Sequence, residues 1–209
     1  MTLVAVSKTV AAERMRAALE AGMTLFGENR VQEALAKLPE VPGARWHLVG
    51  PLQSNKARRA IEAFDMIETL DSVALAQRLD RIAADLGRVS IAVLLQVNVD
   101  RDVAKSGFVP EELPAAIDEV RGLPRLDVRG LMTIGREVAR PEDARGTFAG
   151  LRELGERLRG TWPGLGPELS MGMSDDYPIA VEEGATIVRV GRALFGERPH
   201  DHDHVHDGH

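Results

Sequence analysis

Cysteine is absent from the 209 residues, which excludes disulfides, thiolate metal sites and a cysteine nucleophile. No apolar run reaches the ~18 residues that would mark a membrane-spanning helix. The chain opens on a strand pattern, not on a basic segment followed by a cleavable apolar core, so a soluble cytoplasmic protein is expected. A basic stripe is missing too. The net charge is −6 and the 28% of charged residues carry both signs interspersed, which disfavours a nucleic-acid partner. Tyrosine occurs once, as Tyr177, and lysine only four times against twenty-two arginines.

What is present is ample apolar content, 44%, in a strict alternation. Strand-like runs at Leu3–Val6, Thr24–Phe26, Trp46–Val49, Met66–Leu70, Ser90–Val97, Arg125–Met132, around Leu169, and at Thr186–Val190 are separated by helix-like stretches. Those stretches are Ala11–Ala21, Val31–Leu38, one from about Gln53, Ser72–Leu86, one after Pro110, and Pro141–Leu158. Eight such alternations predict a parallel sheet closed as a (β/α)8 TIM-type barrel, near the lower size limit of about 200 residues; an open doubly wound sheet is the alternative. Residues 1–197 form one domain in this reading, and 198–209 form a disordered tail rich in histidine and aspartate. That tail holds five of the six histidines and is expected to bind metal weakly at most; no metal site is expected in the folded part.

In a barrel the chemistry gathers where strands end, and the unusual polar residues fall there. Lys8 closes the run Leu3-Val4-Ala5-Val6-Ser7-Lys8-Thr9. It reads either as a solvated loop lysine or as an amine that, once desolvated, condenses with an aldehyde, which arginine cannot do. Gly191 follows Ile187-Val188-Arg189-Val190 and either permits a turn or lets backbone N–H groups approach an anion, with Ser174 adding a hydroxyl. Arg189 shares a strand face with Gly191 and needs either an internal carboxylate, such as Glu28 or Asp175, or a ligand. His47 reads as a hydrogen-bonded core histidine or as a ring stacked on a cofactor. Lys56 and Lys105 read as solvated charges, and Tyr177 as part of a loop.

The ordered motifs Ala5-Val6-Ser7-Lys8-Thr9, Phe26-Gly27-Glu28-Asn29-Arg30-Val31-Gln32-Glu33, Trp46-His47-Leu48-Val49-Gly50-Pro51-Leu52-Gln53-Ser54-Asn55-Lys56, Lys105-Ser106-Gly107, Gly130-Leu131-Met132-Thr133, Leu169 to Asp176 and Val188 to Gly196 resemble the pyridoxal phosphate homeostasis protein family. The resemblance implies a fold-type III barrel similar to the N-terminal domain of alanine racemase. It implies pyridoxal 5′-phosphate held as an aldimine on Lys8, with Ser174, Gly191 and Arg192 around the phosphate, Arg189 facing the pyridine nitrogen, and Asn29 lining the pocket. An arginine there keeps the ring nitrogen unprotonated and weakens the cofactor as an electron sink. Two departures stand out. Family members usually have a helix ahead of the first strand, whereas this sequence lacks that N-terminal helix and starts at the strand, which is expected to uncover part of the barrel's flank. Arg192 stands where threonine is common, leaving its guanidinium or a backbone N–H to replace a hydroxyl contact.

The function so implied is a non-catalytic carrier in intracellular vitamin B6 homeostasis. It would be a monomer or weak dimer that delivers cofactor to pyridoxal phosphate-dependent apo-enzymes and binds neither nucleic acid nor membrane. An amino-acid racemase or decarboxylase of the same barrel type is the competing reading, and a barrel for another phosphate ester is a third.

Overall fold

The computed structural model describes residues 1–196, so the tail assigned to 198–209 and its metal affinity lie outside the described residues. Eight parallel strands close in chain order: β1 (Thr2–Val6), β2 (Leu25–Glu28), β3 (Arg45–Leu48), β4 (Met66–Leu70), β5 (Ile91–Gln96), β6 (Leu126–Met132), β7 (Glu168–Ser170) and β8 (Ile187–Val190). The last strand pairs with the first, Thr2 opposite Ile187 and Ala5 opposite Val190. The barrel expectation therefore holds, and the open sheet is excluded.

Each strand is followed by a helix. In chain order these are α1 (Ala12–Glu20), α2 (Val31–Lys37), α3 (Ala57–Ala63), α4 (Val73–Asp85), α5 (Leu113–Val120), α6 (Arg145–Thr161), α7 (Tyr177–Glu182) and α8 (Arg192–Phe195). The longer ones are amphipathic for a visible reason: α4 buries Leu75, Ala76, Leu79 and Ala83 at helical spacing. It begins where the Ser72 hydroxyl accepts the Leu75 N–H at 3.3 Å, a cap worth about 1 kcal/mol. Tyr177 is not a loop residue. It opens α7, ahead of Pro178 in the helix's first turn, where proline's missing N–H costs nothing.

Strand alternation divides the core in two. Outward residues such as Phe26, Trp46, Leu48, Val93, Leu95 and Leu131 pack under the helices, with the Phe26 and Trp46 rings 5.8 Å apart. Inward residues Val4, Leu25, Val49, Leu94, Met132 and Ile187 fill the barrel interior. Gly130 is required by packing, since a Cβ there would lie 2.0 Å from the Glu168 carbonyl oxygen on β7.

Candidate functional site

β1 turns Val4 and the partly buried Val6 toward the barrel interior, and Lys8 follows, half-buried, in the turn after the strand. On β8 strand alternation sends Arg189 into the barrel, where it is 4% exposed. Its Nη1 donates to Ser170 Oγ at 2.7 Å and its Nη2 to the Thr133 carbonyl at 2.8 Å. Neither carboxylate expected from the sequence pairs with it. Glu28 lies outside the barrel wall bonded to Lys37, and Asp175 is exposed and bonded to Arg192.

Arg189 instead ends a polar line across the barrel interior. Ser170 donates to Glu68 Oε2 at 2.5 Å, and Glu68 Oε1 meets His47 Nδ1 at 2.6 Å. Glu68 is fully buried on β4, and a bond from it to β7 can only cross the interior. Burial pulls the Arg189 guanidinium down from its ordinary value, while the negative charges of Glu68 and Asp176 oppose that shift. His47 therefore has a hydrogen-bonded interior role. Glu68 carried a readable signal, a carboxylate inside Met66-Ile67-Glu68-Thr69-Leu70, the same kind of signal that marks Arg189. Ser170 carried none.

At the end of β8, two backbone N–H groups converge on one oxygen: Gly191 N donates to Ser174 Oγ at 3.3 Å and Ala193 N at 3.4 Å. Donors that meet on a hydroxyl oxygen can meet on a phosphate oxygen, so the cradle fits the anion expected from the sequence. The reason for glycine is different from conformational freedom. Gly191 has a φ of −120°, which any residue adopts, but a Cβ would sit 3.1 Å from the Val6 carbonyl oxygen on the neighbouring β1. Helix α8 is only four residues long, so individual N–H groups rather than a macrodipole do the binding. The Arg192 guanidinium is engaged by Asp175 at the surface, and the two N–H groups that meet on Ser174 Oγ belong to its neighbours Gly191 and Ala193.

Asn29 follows β2 half-buried, its backbone so close to Gly50 that a Cβ on Gly50 would lie 2.4 Å from the Asn29 carbonyl oxygen. Lys56 is half-buried at the end of a short 3-10 turn, Ser54–Lys56. Lys105 is not simply solvated. Its Nζ donates to the Gly135 carbonyl at 2.6 Å and that of Ile134 at 3.3 Å, tying the loop after β5 to the loop after β6. The lysine that sequence reasoning passed over is Lys37, 9% exposed on α2, and its Glu33 partner at i−4 made it look like half of an ordinary surface pair. Among the described residues no group of three or more histidine, aspartate or glutamate side chains could hold a metal ion, and no helix is long and apolar enough to cross a membrane.

A half-buried lysine follows β1 and an anion cradle follows β8, at the carboxyl ends of two hydrogen-bonded strands. The class is thus a closed parallel barrel whose polar groups gather at the strand ends, where such barrels carry their sites. The chain belongs to the pyridoxal phosphate homeostasis protein family, within the wider family described as alanine racemase, N-terminal domain, whose model matches residues 1–199. The pyridoxal phosphate homeostasis protein of Pseudomonas aeruginosa is 46% identical over 199 residues, covering 94% of this chain and 84% of that one. The structure of PipY from Synechococcus elongatus with pyridoxal phosphate bound superposes with a TM-score of 0.87 at 47% identity, over 94% of this chain and 92% of that one. Alanine racemase of Clostridium difficile shares the fold, with a TM-score of 0.79 at 17% identity over 96% of this chain and 53% of that one.

Proposed function

We propose that this chain binds pyridoxal 5′-phosphate and serves its intracellular homeostasis in the cytoplasm, without a turnover of its own. The observation that carries the reading is the pairing of β1 with β8, which sets Lys8 and the Gly191–Ser174 cradle on adjacent strand ends. When bound, the cofactor would supply an aldehyde, a group with which a primary amine can react. Lys8 would provide that amine from a half-buried turn. Ser174 and the N–H groups of Gly191 and Ala193 hold the phosphate. Arg189 is fixed by Ser170 and Thr133; it would face the ring nitrogen of the bound cofactor and, as a cation, discourage its protonation and with it carbanion chemistry. Asn29 and His47 complete the lining of the pocket. The relatives named for pyridoxal phosphate homeostasis and the ligand-bound PipY support this reading. A monomer or weak dimer that hands the cofactor to apo-enzymes accords with it.

The test is the absorption spectrum of the purified protein mixed with pyridoxal phosphate, before and after borohydride, with mass mapping of the modified lysine. A visible band that borohydride removes, together with label on Lys8, is expected. Label on Lys56 or Lys105 with Lys8 unmodified overturns the assignment.

A further inference from the structure

Behind the Lys8 turn, on the outer side of the barrel wall, Lys37 reaches back from α2 to the ends of β1 and β2. Its Nζ donates to the Ser7 carbonyl, to Glu28 Oε1 and to Glu33 Oε1, each at 2.7 Å, so its three N–H groups meet three acceptors. The same carboxylates hold the turn directly. Glu28 Oε1 accepts the Ser7 hydroxyl at 2.7 Å, and Glu33 Oε1 accepts the Thr9 N–H at 2.6 Å. Ser7 is thereby fixed through its carbonyl and hydroxyl, and Thr9 through its N–H. Lys8 is the one residue between them.

Thr9 adds an independent sign that this turn is held. Its φ is +64°, a region that a β-branched residue adopts only under constraint. The bond to Glu33 supplies the constraint, and both flanks of Lys8 are pinned as a result. We propose that Lys37 is a positioning residue for Lys8: with Glu28 and Glu33 it fixes the backbone on either side so that the Lys8 amine is presented inside the barrel mouth.

The inference rests on Lys8 being the attachment point. Lys37 does not compete for that role, because its donors are already engaged and it lies outside the wall. The charge balance sharpens the dependence. Two carboxylates share one ammonium, and Glu28 Oε2 is buried without a hydrogen-bond partner. Burial pushes Glu28 up, and the bonds from Lys37 and Ser7 resist that push. Without Lys37 the carboxylates repel each other, and the turn loses the hub that joins Ser7 to Thr9.

The experiment uses the full chain as Lys37→Met, as Glu33→Ala, which alters a partly exposed side chain, and as the compensated pair Lys37→Met with Glu28→Leu, which removes the cation and a buried carboxylate together. Two probes are compared: pyridoxal 5′-phosphate, and pyridoxine 5′-phosphate, whose alcohol cannot be captured by an amine. In Glu33→Ala and in the pair, the rate and extent of borohydride-trapped Lys8 labelling should fall roughly tenfold or more, the loss expected for hydrogen bonds to charged groups. Affinity for pyridoxine phosphate should stay within about twofold of the unmodified chain, since the cradle on β7 and β8 is untouched. Labelling at the unmodified chain's rate in both overturns the proposal, even if Lys37→Met alone fails to fold. Equal losses for both probes also overturn it, because they indicate general loosening rather than positioning. If the unmodified chain itself gives no Lys8 label, the functional reading fails and the positioning role falls with it.

Discussion

Glu68→Gln isolates the charge that faces Arg189 while keeping side-chain shape. Arg189 is 4% exposed and its guanidinium bonds go to neutral acceptors, Ser170 Oγ and the Thr133 carbonyl. The opposing negative charge comes from Glu68 through Ser170, and from Asp176. Breaking a direct buried ion pair costs about 3–5 kcal/mol; this one is mediated by a hydroxyl and Asp176 remains, so about 2–3 kcal/mol is expected. In a domain of this size each kcal/mol lowers the melting temperature by about 2–4 °C, which sets the expected drop at roughly 4–12 °C. Thermal unfolding of the ligand-free protein at pH 7, followed by circular dichroism or calorimetry, measures it. Adding Arg189→Met should recover part of the loss, because no buried charge is then left without its opposite. A melting temperature within about 2 °C of the unmodified protein refutes the reasoning. So does a double variant less stable than the single one.

Gly191→Val should weaken pyridoxal phosphate binding more than Ser174→Ala. The first drives a side chain against the Val6 carbonyl and displaces several donors, whereas the second removes one hydroxyl worth about 1.5–3 kcal/mol; equal Kd values by fluorescence titration would remove the cradle. Glu28 has its folded pKa raised above 4.5, first by burial, so its contribution to stability is full below 4.5 and is lost as pH rises through the higher folded value. Melting temperatures of Glu28→Gln and the unmodified protein across that window should therefore diverge, the unmodified protein gaining relative to the variant on acidification; parallel curves would contradict the shift. Incubated with pyridoxal phosphate and common amino acids, the protein should show no racemase, decarboxylase or aminotransferase turnover approaching the 1–1,000 per second order typical of enzymes. Racemisation of alanine at such a rate would favour the enzyme reading.

The alternation of apolar runs with helical stretches located all eight strands, and Met66–Leu70 kept its limits unchanged. Period and composition suffice for that, because each strand must be buried on both faces and each helix on one. Pairwise chemistry was less legible. Arg189 was found because a cation inside Ile-Val-Val is conspicuous, but its partners lie on β4, just after β6 and on β7, and nothing local in the sequence links Ser170 or Glu68 to it. Lys37 was hidden for the opposite reason, since its pairing with Glu33 resembles a solvated helix pair and only folding brings Glu28 and Ser7 to the same amine. The family motifs marked Lys8, Ser174 and Gly191. They did not reveal that Gly191 is needed for the nearness of Val6.

The seam between β1 and β8 joins the first and the last of the described strands. Lys8 is made well before Gly191, so the two halves of the proposed binding site coexist only after the intervening chain has been released and the ring has closed. A truncated chain would keep the amine yet have no grip on the phosphate. Conversely, a ligand gripped on both sides of the seam acts as a clasp on the joint most distant in sequence, adding stability in proportion to RT ln(1 + [L]/Kd). Supply of the ligand would thus tend to decide how long the closed ring endures, making the lifetime of the protein itself responsive to the compound it holds.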